Sequence, residues 1–428
     1  MSAGALMVSA PASGHGKTTV TAALARAWTD AGLAVRVFKT GPDFLDPMVL
    51  ARAAGSPVRQ LDLWMGGAEH CAALLHRAAG EADVVLVEGA MGLYDGTPSS
   101  ADLAVRFGLP VLAVIDAGAM AQTFGAVAHG LATYRPAPGL AGVVANRTGG
   151  AVHARMLRES LPPGLRCYGA LPRDAAFELP SRHLGLVQAG EIADLDTRIA
   201  AAAAALVAAG PLPPPPAMAL PAVLEPPPAR RLEGLRVAVA RDAAFAFLYE
   251  ANLDVLRALG ATPCAFSPLA DEPVPEGCQA LYLPGGYPEL HLDALAGNAV
   301  ARGSVLAHHV AGRPILAECG GLLWLLDALT DAQGRRAPML GLLPGEGRIG
   351  ARLANIGLPS IVLPEGTLRG QTFHHASAEL RLEPVAHSRA ALDHGRPEPV
   401  WRSGRLVASF LHLYFPSNPE AIAALLRP

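Results

Sequence analysis

A glycine-rich segment near the start of the chain, PASGHGKT at residues 11–18, constrains the fold more than any other stretch. It follows an apolar run, residues 5–10, and precedes a stretch in which apolar residues recur at helical spacing, residues 17–30. A strand, a glycine-rich turn and a helix in this order are typical of a phosphate-binding loop at the edge of a parallel sheet. The segment therefore predicts an α/β fold for the first part of the chain.

The same alternation continues along the chain and predicts two doubly wound α/β domains. Further apolar runs with the length of buried strands occupy residues 33–38, 83–87, 111–115 and 142–145. The pattern resumes later with an apolar run at 235–240, a helical stretch at 253–259 and another apolar run at 280–283.

A proline-rich segment, PLPPPPAMALPAVLEPPPARRL, interrupts this alternation. Proline is excluded from helix interiors and central strands and favours extended spacer geometry. We therefore predict a first domain at residues 1–209, a linker at residues 210–233 and a second domain at residues 234–428. The alanine-rich stretch at residues 199–209 is predicted to be the closing helix of the first domain.

Composition narrows the class of partner. The 34 Lys and Arg residues nearly balance the 37 Asp and Glu residues, with a formal net charge of -3, which favours small molecules over nucleic acid or an anionic membrane. Apolar stretches are broken before the ~20 residues that a bilayer span needs, and no basic leader precedes the phosphate loop, so we expect a cytoplasmic protein. Five cysteines without a Cys-x-x-Cys pair favour a catalytic role for any special cysteine. The sequence leaves homodimer formation open.

The glycine-rich segment has the residues of a nucleotide-binding loop. Gly14 and Gly16 allow backbone N–H groups to converge on phosphate oxygens, and Lys17 can reach the β- and γ-phosphates. Pro11 stands where the first glycine of such loops is usual, so the loop is a variant. The predicted ATP-binding residues of this segment are Gly14, His15, Gly16, Lys17, Thr18 and Thr19.

Two acidic segments, FKTGPDFLDP at residues 38–47 and VEGAMGLYDG at residues 87–96, follow the second and third predicted strands. The carboxyl ends of parallel strands meet at one edge of a sheet, so both segments should face the nucleotide. Hard oxygen ligands suit Mg²⁺. Asp43 and Glu88 are therefore predicted to bind Mg²⁺ together with the Thr18 hydroxyl.

Four further polar residues follow predicted strands at the same edge. Asp95 is predicted to complete the metal shell or orient the acceptor, whereas Asp46 precedes a proline and is the weaker candidate because such residues form turns. Lys39 can stabilise a transferring phosphoryl group, and Asn146 can contact the adenine base. Such a site suits phosphorylation of a substrate carboxylate to an acyl phosphate, because Mg²⁺ and lysine stabilise charge while the substrate attacks in line.

In the second half, PILAECGG at residues 314–321 predicts a strand, a turn at Cys319 and a helix. Such a turn lifts the thiol out of the sheet and points a helix N-terminus at the sulfur, so we expect a lowered thiol pKa. Gly285 and Gly286 follow another predicted strand and can supply N–H groups to an oxyanion hole. His412, in the apolar run SFLHLYF, can act as the general base for Cys319.

Taken together, these motifs resemble those of the cobyrinate or hydrogenobyrinate a,c-diamide synthase family over nearly the whole chain. The segments that carry the resemblance are SGHGKTTV, KTGPDFLDP, VEGAMGLYDG, LPSRHLGL, ARDAAFAFLYEANL, LPGGYPELH, AECGGLLWL and SFLHLYF. The resemblance implies a P-loop NTPase-like, dethiobiotin-synthetase-like ATP domain joined to a flavodoxin-like class I glutamine amidotransferase domain. It also implies that ATP, Mg²⁺ and glutamine serve to amidate the a and c acetate side chains of a corrin ring in cobalamin biosynthesis.

Motif by motif, the resemblance implies that Cys319 is the glutaminase nucleophile, that His412 activates it and that Gly286 belongs to the oxyanion loop. Ordinary class I amidotransferases carry His-x-Glu, whereas Leu413 and Tyr414 follow the histidine here, which implies a weaker or substrate-assisted glutaminase. The family's acidic positions at the synthetase site fall on Asp43, Glu88 and Asp95. A family-like stretch without an assigned role contains Phe373, His374 and His375. Candidate partners for the ring carboxylates are Arg182, His183 and Arg241.

Four other interpretations are open at this point. Cobyric acid synthase amidates other carboxylates of the same ring with the same two modules, and it is less similar around ARDAAF and RHLGL. A dethiobiotin synthetase would leave Cys319 and His412 unexplained, and a partitioning-type ATPase normally carries a lysine where Ala12 stands. The fourth is a non-catalytic corrinoid- or nucleotide-binding protein, and the intact Lys17, Glu88 and Cys319 speak against it.

Overall fold

The computed structural model describes residues 2–135, 138–182, 185–208, 210–219, 223, 225–391 and 395–428. The chain divides into two compact units, Met1–Glu225 and Pro226–Pro428. Each unit contains a mainly parallel sheet, which confirms the α/β class that the sequence predicts. Among the described residues, no helix combines the length and the apolar character that a membrane crossing requires.

A seven-stranded parallel sheet forms the centre of the first unit. The strands of this unit are β1 (Ser2–Ser9), β2 (Val35–Thr40), β3 (Arg59–Leu61), β4 (Val84–Glu88), β5 (Val111–Asp116), β6 (Leu140–Thr148), β7 (Cys167–Pro172), β8 (Ser181–Arg182), β9 (Gly185–Leu186) and β10 (Ala217–Ala219). The order β3-β2-β4-β1-β5-β6-β7 places β1 between β4 and β5, so the loops after these strands meet at one edge. Glu88 ends the fourth strand rather than following the third, because β3 is an additional short edge strand.

Helices cover both faces of this sheet. They are α1 (Lys17–Asp30), α2 (Leu45–Ala54), α3 (Gly67–Glu81), α4 (Ser100–Phe107), α5 (Thr123–Thr133), α6 (Ala151–Glu159) and α7 (Leu195–Ala208). Successive strand side chains point to opposite faces. In β1, Leu6 and Val8 therefore pack in a core cluster with α1, α2 and α7, whereas Ala5 and Met7 pack in a second cluster with α3 and α4. The phosphate-loop strand is thus buried on both sides.

The proline-rich segment is not a spacer along its whole length, which corrects the prediction for residues 210–233. Strand β10 lies inside it and pairs antiparallel with the first residues of β1, and the Ala5 N–H donates to the Pro216 carbonyl at 3.0 Å. The segment therefore belongs to the first unit up to Glu225. Proline-rich chain is extended, and an extended segment can pair with an open stretch of strand.

The second unit contains a seven-stranded sheet of flavodoxin-like strand order. Its strands are β11 (Arg236–Ala240), β12 (Thr262–Phe266), β13 (Ala280–Leu283), β14 (Ile315–Glu318), β15 (Leu326–Thr330), β16 (Arg336–Pro338), β17 (Leu343–Ile349), β18 (Asn355–Gly357), β19 (Pro359–Leu363), β20 (Gly366–His374), β21 (Ala376–Leu380), β22 (Ala386–His387), β23 (Arg389–Ala390), β24 (Pro399–Ser403), β25 (Leu406–Ser409) and β26 (His412–Leu413). The main sheet runs β12-β11-β13-β14-β25-β24-β22, and its first five strands are parallel. Counted along the chain, those five have the order 2-1-3-4-5, which confirms the predicted flavodoxin-like fold.

Two smaller sheets, which the sequence analysis did not predict, extend this unit. Their orders are β16-β15-β17-β21 and β18-β20-β19-β23, and β26 pairs with β20. The helices of the unit are α8 (Glu250–Ala258), α9 (Leu292–Gly297), α10 (Ala299–Val310), α11 (Gly320–Leu325) and α12 (Pro419–Leu426). Because His412 pairs in register with Gln371 of β20, an added sheet holds this histidine.

Candidate active sites

The glycine-rich loop lies between β1 and α1 and has the backbone conformation that its glycines permit. Gly14 and Gly16 have φ angles of 82° and 85°, in the left-handed region that disfavours other residues. A Cβ on Gly16 would lie 2.2 Å from the Asn146 side-chain nitrogen. Only glycine therefore lets β6 approach the loop this closely.

Asn146 supports the loop from the end of β6. Its Nδ2 donates to the His15 carbonyl at 2.8 Å, and its Oδ1 accepts from the Arg147 N–H at 2.9 Å. The Arg147 guanidinium donates to the Gly14 carbonyl at 3.0 Å and forms an ion pair with Asp116. The Asn146 Nδ2 group thus braces the loop directly and Oδ1 is engaged by the Arg147 N–H, a role that the predicted adenine contact did not anticipate.

The first residues of α1 bring the loop to the acidic strand β4. Lys17 Nζ donates to the Met91 carbonyl at 2.5 Å and to the Ala12 carbonyl at 3.2 Å, so it lies over the loop. Thr18 Oγ1 donates to Glu88 Oε1 at 3.0 Å. Burial, followed by the charge of Lys39, lowers the pKa of Lys17.

Lys39, at the end of β2, forms a buried charge cluster with two carboxylates. Its Nζ lies 2.6 Å from Glu88 Oε1 and 2.6 Å from Asp46 Oδ2, and its side chain is only 3% exposed. Burial alone would lower the pKa of Lys39, but the Glu88 and Asp46 charges outweigh it and raise the pKa. Burial opposes ionisation of Asp46 as well, yet the Lys39 charge and hydrogen bond lower its pKa. Asp46, the weaker candidate in the sequence, is therefore part of this cluster.

The other two predicted acidic residues have different environments. Asp43 Oδ1 accepts from the Leu45 and Asp46 N–H groups at the start of α2, and burial followed by the Asp46 charge raises its pKa to about 7. Asp95 is exposed, and its Oδ2 accepts from the Gly92 N–H at 3.0 Å. Asp95 thus closes the turn after β4.

A cavity of about 880 Å³ opens beside the loop and is large enough for a nucleotide. Most of the predicted ATP-binding and metal-binding residues line it, namely Gly14, Gly16, Lys17, Thr18, Thr19, Lys39, Asp43 and Asn146. The predicted residues His15, Glu88 and Asp95 lie outside this lining. Within the described residues, no three His, Cys, Asp or Glu side chains form a ready-made metal cluster. The oxygens that fit Mg²⁺ are the Thr18 hydroxyl and the Glu88 carboxylate, whose buried Oε2 has no hydrogen-bond partner among the described groups.

In the second unit, Cys319 occupies a sharp turn between β14 and α11, as the sequence predicts. Its φ and ψ angles are 44° and -103°, a strained conformation for a residue with a side chain. The Cys319 N–H donates to the Ser409 carbonyl of β25 at 2.8 Å, which fixes the turn to the sheet. Strain of this kind is typical of a nucleophile held at a strand-to-helix turn.

Gly285 and Gly286 follow β13 and lie next to this turn. A Cβ on Gly285 would lie 2.2 Å from His412 Cε1 and 3.3 Å from Cys319 Cβ. The cysteine and the histidine therefore both border the space that a Cβ on Gly285 would fill. A Cβ on Gly320 would in turn lie 2.8 Å from the Gly286 nitrogen, which places that N–H group beside the turn. The position suits an oxyanion hole.

Burial sets the protonation of the cysteine and the histidine. Burial, followed by the charges of Glu289 and Glu398, raises the pKa of Cys319. Burial, followed by His374, lowers the pKa of His412 to about 3. The expected lowering of the thiol pKa by the helix is therefore wrong for the free protein, because α11 has only six residues and desolvation dominates. Both groups are therefore neutral at neutral pH. His412 is unprotonated, as a general base must be.

Three features of this centre were not recognised in the sequence. Glu318, the residue before the cysteine, accepts from the Tyr282 hydroxyl at 2.8 Å and from the Leu413 N–H at 3.1 Å. It thus holds the backbone next to His412 rather than the imidazole itself. Glu289 lies on the short 3₁₀ turn that follows the oxyanion loop, and burial raises its pKa to about 7. The third feature is a buried pair of His374 and Glu398, 2.8 Å apart.

The candidate partners of a corrin ring stay predictions. Arg241 is exposed, and its guanidinium donates to Glu250 at 2.6 Å. His183 lies outside the described residues, as does the side chain of Arg182.

Comparisons with known proteins match both units. Residues 6–187 match the CobQ/CobB/MinD/ParA nucleotide binding domain, and residues 236–420 match the CobB/CobQ-like glutamine amidotransferase domain. With the two sites described above, these matches define a glutamine-hydrolysing ligase in which one unit binds a nucleotide and the other processes glutamine.

Full-length relatives narrow the class. A hydrogenobyrinate a,c-diamide synthase from Pseudomonas aeruginosa is 58% identical over 99% of this chain and 97% of its own length, and one from Stutzerimonas stutzeri is 60% identical over 99% and 98%. A cobyrinate a,c-diamide synthase from Herminiimonas arsenicoxydans is 48% identical over 100% of this chain and 97% of its own length. The chain belongs to the family of hydrogenobyrinate and cobyrinate a,c-diamide synthases.

Proposed function

We propose that this chain uses ATP and glutamine to amidate the a and c acetate carboxylates of hydrogenobyrinate or cobyrinate, in the biosynthesis of cobalamin. The observation that carries the proposal is the presence of two complementary centres in one chain of this family. One centre is a phosphate loop beside a buried Lys39, Glu88 and Asp46 cluster. The other is Cys319, which has a strained backbone and lies with His412 beside Gly285.

In the first unit, the substrate carboxylate attacks the γ-phosphate of ATP and forms an acyl phosphate, with ADP as the leaving group. The glycine-rich loop and Lys17 bind the phosphates. Lys39 places a positive charge beside Glu88 and Asp46. Mg²⁺ bound by Thr18 and Glu88 would neutralise charge on the phosphate oxygens. Asp43, at the start of α2, is proposed to support this metal from the cavity wall, and Asp95 to orient the acceptor.

In the second unit, Cys319 attacks the side-chain amide of glutamine while His412 accepts the thiol proton. The N–H group of Gly286 stabilises the tetrahedral oxyanion, and His412 returns the proton to the leaving ammonia. Loss of ammonia leaves the glutamyl group bound to Cys319 as a thioester. Water then hydrolyses this thioester and releases glutamate. Ammonia attacks the acyl phosphate carbonyl in the first unit and displaces phosphate, which yields the amide.

Mass spectrometry of the ring product tests the proposal. The purified protein is incubated with ATP, Mg²⁺, glutamine and either hydrogenobyrinate or cobyrinate, and the amides formed on each ring are counted and located. We expect two amides, at the a and c positions, together with ADP and glutamate. Amidation at other carboxylates would favour a cobyric acid synthase activity, and an unmodified ring would refute the proposal. The rates on the two rings also show whether the preferred substrate carries cobalt.

A further inference from the structure

The segment ARDAAFAFLYEANL carries part of the family resemblance, yet the mechanism described above does not use it. It runs from the end of β11 into α8, and its middle forms the β11–α8 loop. Asp242 fastens the start of this loop, because Oδ1 accepts from the Ala244 N–H and Oδ2 from the Leu269 N–H, both at 2.9 Å. Phe245 is fully buried and packs on Trp324 of α11, with ring centroids 5.2 Å apart. The loop is therefore a fixed part of the second unit.

The same loop lies against the oxyanion loop at Gly285 and Gly286. The Phe247 N–H donates to the Gly285 carbonyl at 2.9 Å, and these two residues form an antiparallel bridge. A Cβ on Gly286 would lie 2.1 Å from the Ala244 carbonyl oxygen, so the two backbones are in direct contact. The β11–α8 loop thus supports the residues that border Cys319 and His412.

The side chain of Phe247 extends from this loop to the proposed base. Its ring centroid lies 6.1 Å from that of His412, with the ring planes at 56°. It also meets Tyr287, the residue after the oxyanion loop, edge to face, with centroids 4.7 Å apart and planes at 77°. Both distances lie within the range at which aromatic rings attract each other. Phe247 therefore packs on the imidazole and is itself held by a second ring.

Backbone pairing fixes only part of the position of His412. Strand β26 has two residues, and its pairing with β20 places the His412 backbone opposite Gln371. The imidazole can still rotate about its side-chain bonds, so this pairing does not determine its direction. On the Gly285 side, the absence of a Cβ leaves the space beside His412 Cε1 open. A ring packed on the imidazole limits the rotation that this space permits.

We propose that Phe247 is a positioning residue, which holds the His412 imidazole beside Gly285 and takes the place of the carboxylate of His-x-Glu in ordinary class I enzymes. A carboxylate would add negative charge next to the base and raise its pKa, whereas a phenyl ring restricts the imidazole without adding charge. The low pKa of His412, which follows from burial, is compatible with a neutral partner. The inference rests on the proposed glutaminase function of this centre.

Two other roles of Phe247 would give different kinetics. A ring that contacts bound glutamine would affect KM, because it would stabilise the bound substrate. A ring that only supports the oxyanion loop would affect the reaction whether or not His412 is present. A ring that positions His412 acts only through that imidazole, so its loss and the loss of His412 should not add in a double-mutant cycle.

The experiment compares Phe247→Leu, His412→Gln and the double variant in the full chain. The readouts are kcat and KM for glutamine hydrolysis, and the rate of Cys319 alkylation by iodoacetamide, located by peptide mass spectrometry. For Phe247→Leu we expect kcat and the alkylation rate to fall by roughly 10-fold, with KM for glutamine unchanged. In the His412→Gln background the same replacement should not lower the alkylation rate further, because the group that Phe247 positions is absent.

Three controls accompany these variants. Phe247→Tyr keeps the ring at a half-buried position and should retain most of the kcat. Leu248→Val, at the neighbouring residue of the same loop, should leave both readouts unchanged. Ammonia-dependent amidation should persist in every variant, since it does not use His412. If Phe247→Leu does not fold, Phe247→Met, with a flexible apolar side chain, takes its place in the cycle.

A raised KM with unchanged kcat would assign Phe247 to glutamine binding and overturn the proposal. Equal losses with and without His412 would overturn it in favour of a supporting role for the oxyanion loop. Full activity of Phe247→Leu, or a Phe247→Tyr variant as slow as Phe247→Leu, would also contradict it. If the unmodified protein hydrolyses no glutamine, the proposed function fails instead, and the alkylation cycle still tests whether Phe247 acts through His412.

Discussion

The two reactive centres occupy similar places, at the carboxyl edges of parallel sheets, but they hold charge in opposite ways. In the first unit, Lys39 forms two ion pairs at 2.6 Å although its side chain is almost wholly buried. In the second unit, burial favours the neutral forms of Cys319 and His412. A nucleotide brings its own charge and requires a preformed site for it. A cysteine and histidine pair creates charge only while substrate is bound, so it can remain neutral until then.

Replacement of Cys319 by serine tests whether the two centres work separately, and it should have the largest effect. We expect glutamine-dependent amidation to fall by roughly 10⁴-fold or more, because the proposed nucleophile is removed. Ammonia-dependent amidation should persist, since phosphorylation of the carboxylate does not use the thiol. The control is Cys264→Ser, at a cysteine on the edge strand β12. Loss of both reactions in Cys319→Ser alone would contradict the division of labour between the units.

Replacement of Glu88 by glutamine removes one negative charge from the preformed cluster. We expect amidation with either nitrogen donor to fall by about 10²- to 10³-fold, because Lys39 and the proposed metal lose a shared partner. Rates measured with glutamine and with ammonia should fall in parallel. Glu81→Gln, at an exposed residue of α3, is the matched control. A defect that appears only with glutamine would place Glu88 outside the nucleotide chemistry.

Replacement of Gly285 by alanine tests whether the position of the His412 imidazole matters for glutamine use. The new Cβ would lie 2.2 Å from His412 Cε1, so the imidazole must move. A displacement of about 1 Å can cost about 10²-fold in rate, and we expect a loss of up to this size in glutamine-dependent amidation alone. The control is Gly303→Ala, an exposed helical position where a Cβ meets no atom within 4 Å. Normal glutamine use in Gly285→Ala would show that His412 does not need this position.

The sequence predicted the features that depend on local pattern. Helix α1 has the predicted bounds, and the strand, turn and helix around Cys319 appear where the apolar run and the glycines indicated them. Both motifs are short and continuous, so their geometry follows from residues that are neighbours in the chain. The doubly wound class of each unit followed because connections between parallel strands are regular.

Features that depend on side-chain packing were missed. Asp46 was discounted as a turn former, because the sequence does not show that Lys39 lies against its carboxylate. The thiol pKa was expected to fall, but burial raises it. Helix length and depth of burial are properties of the packed unit, which the sequence does not show. His374 attracted attention only as part of an unexplained stretch, because its partner Glu398 lies on another strand. Side-chain contacts and burial in the packed unit decide each of these cases.

The short strand β10 ties the proline-rich stretch back to β1, a strand that the ribosome makes long before it. Ser2, Ala3 and Gly4 pair with Ala219, Met218 and Ala217. The nucleotide lobe therefore cannot complete its sheet until the ribosome has passed the proline-rich stretch. A shorter chain that ends at residue 209 would lack β10 and leave the backbone N–H and C=O groups at the start of β1 unpaired. Such open strand edges can pair with a neighbouring molecule and promote aggregation.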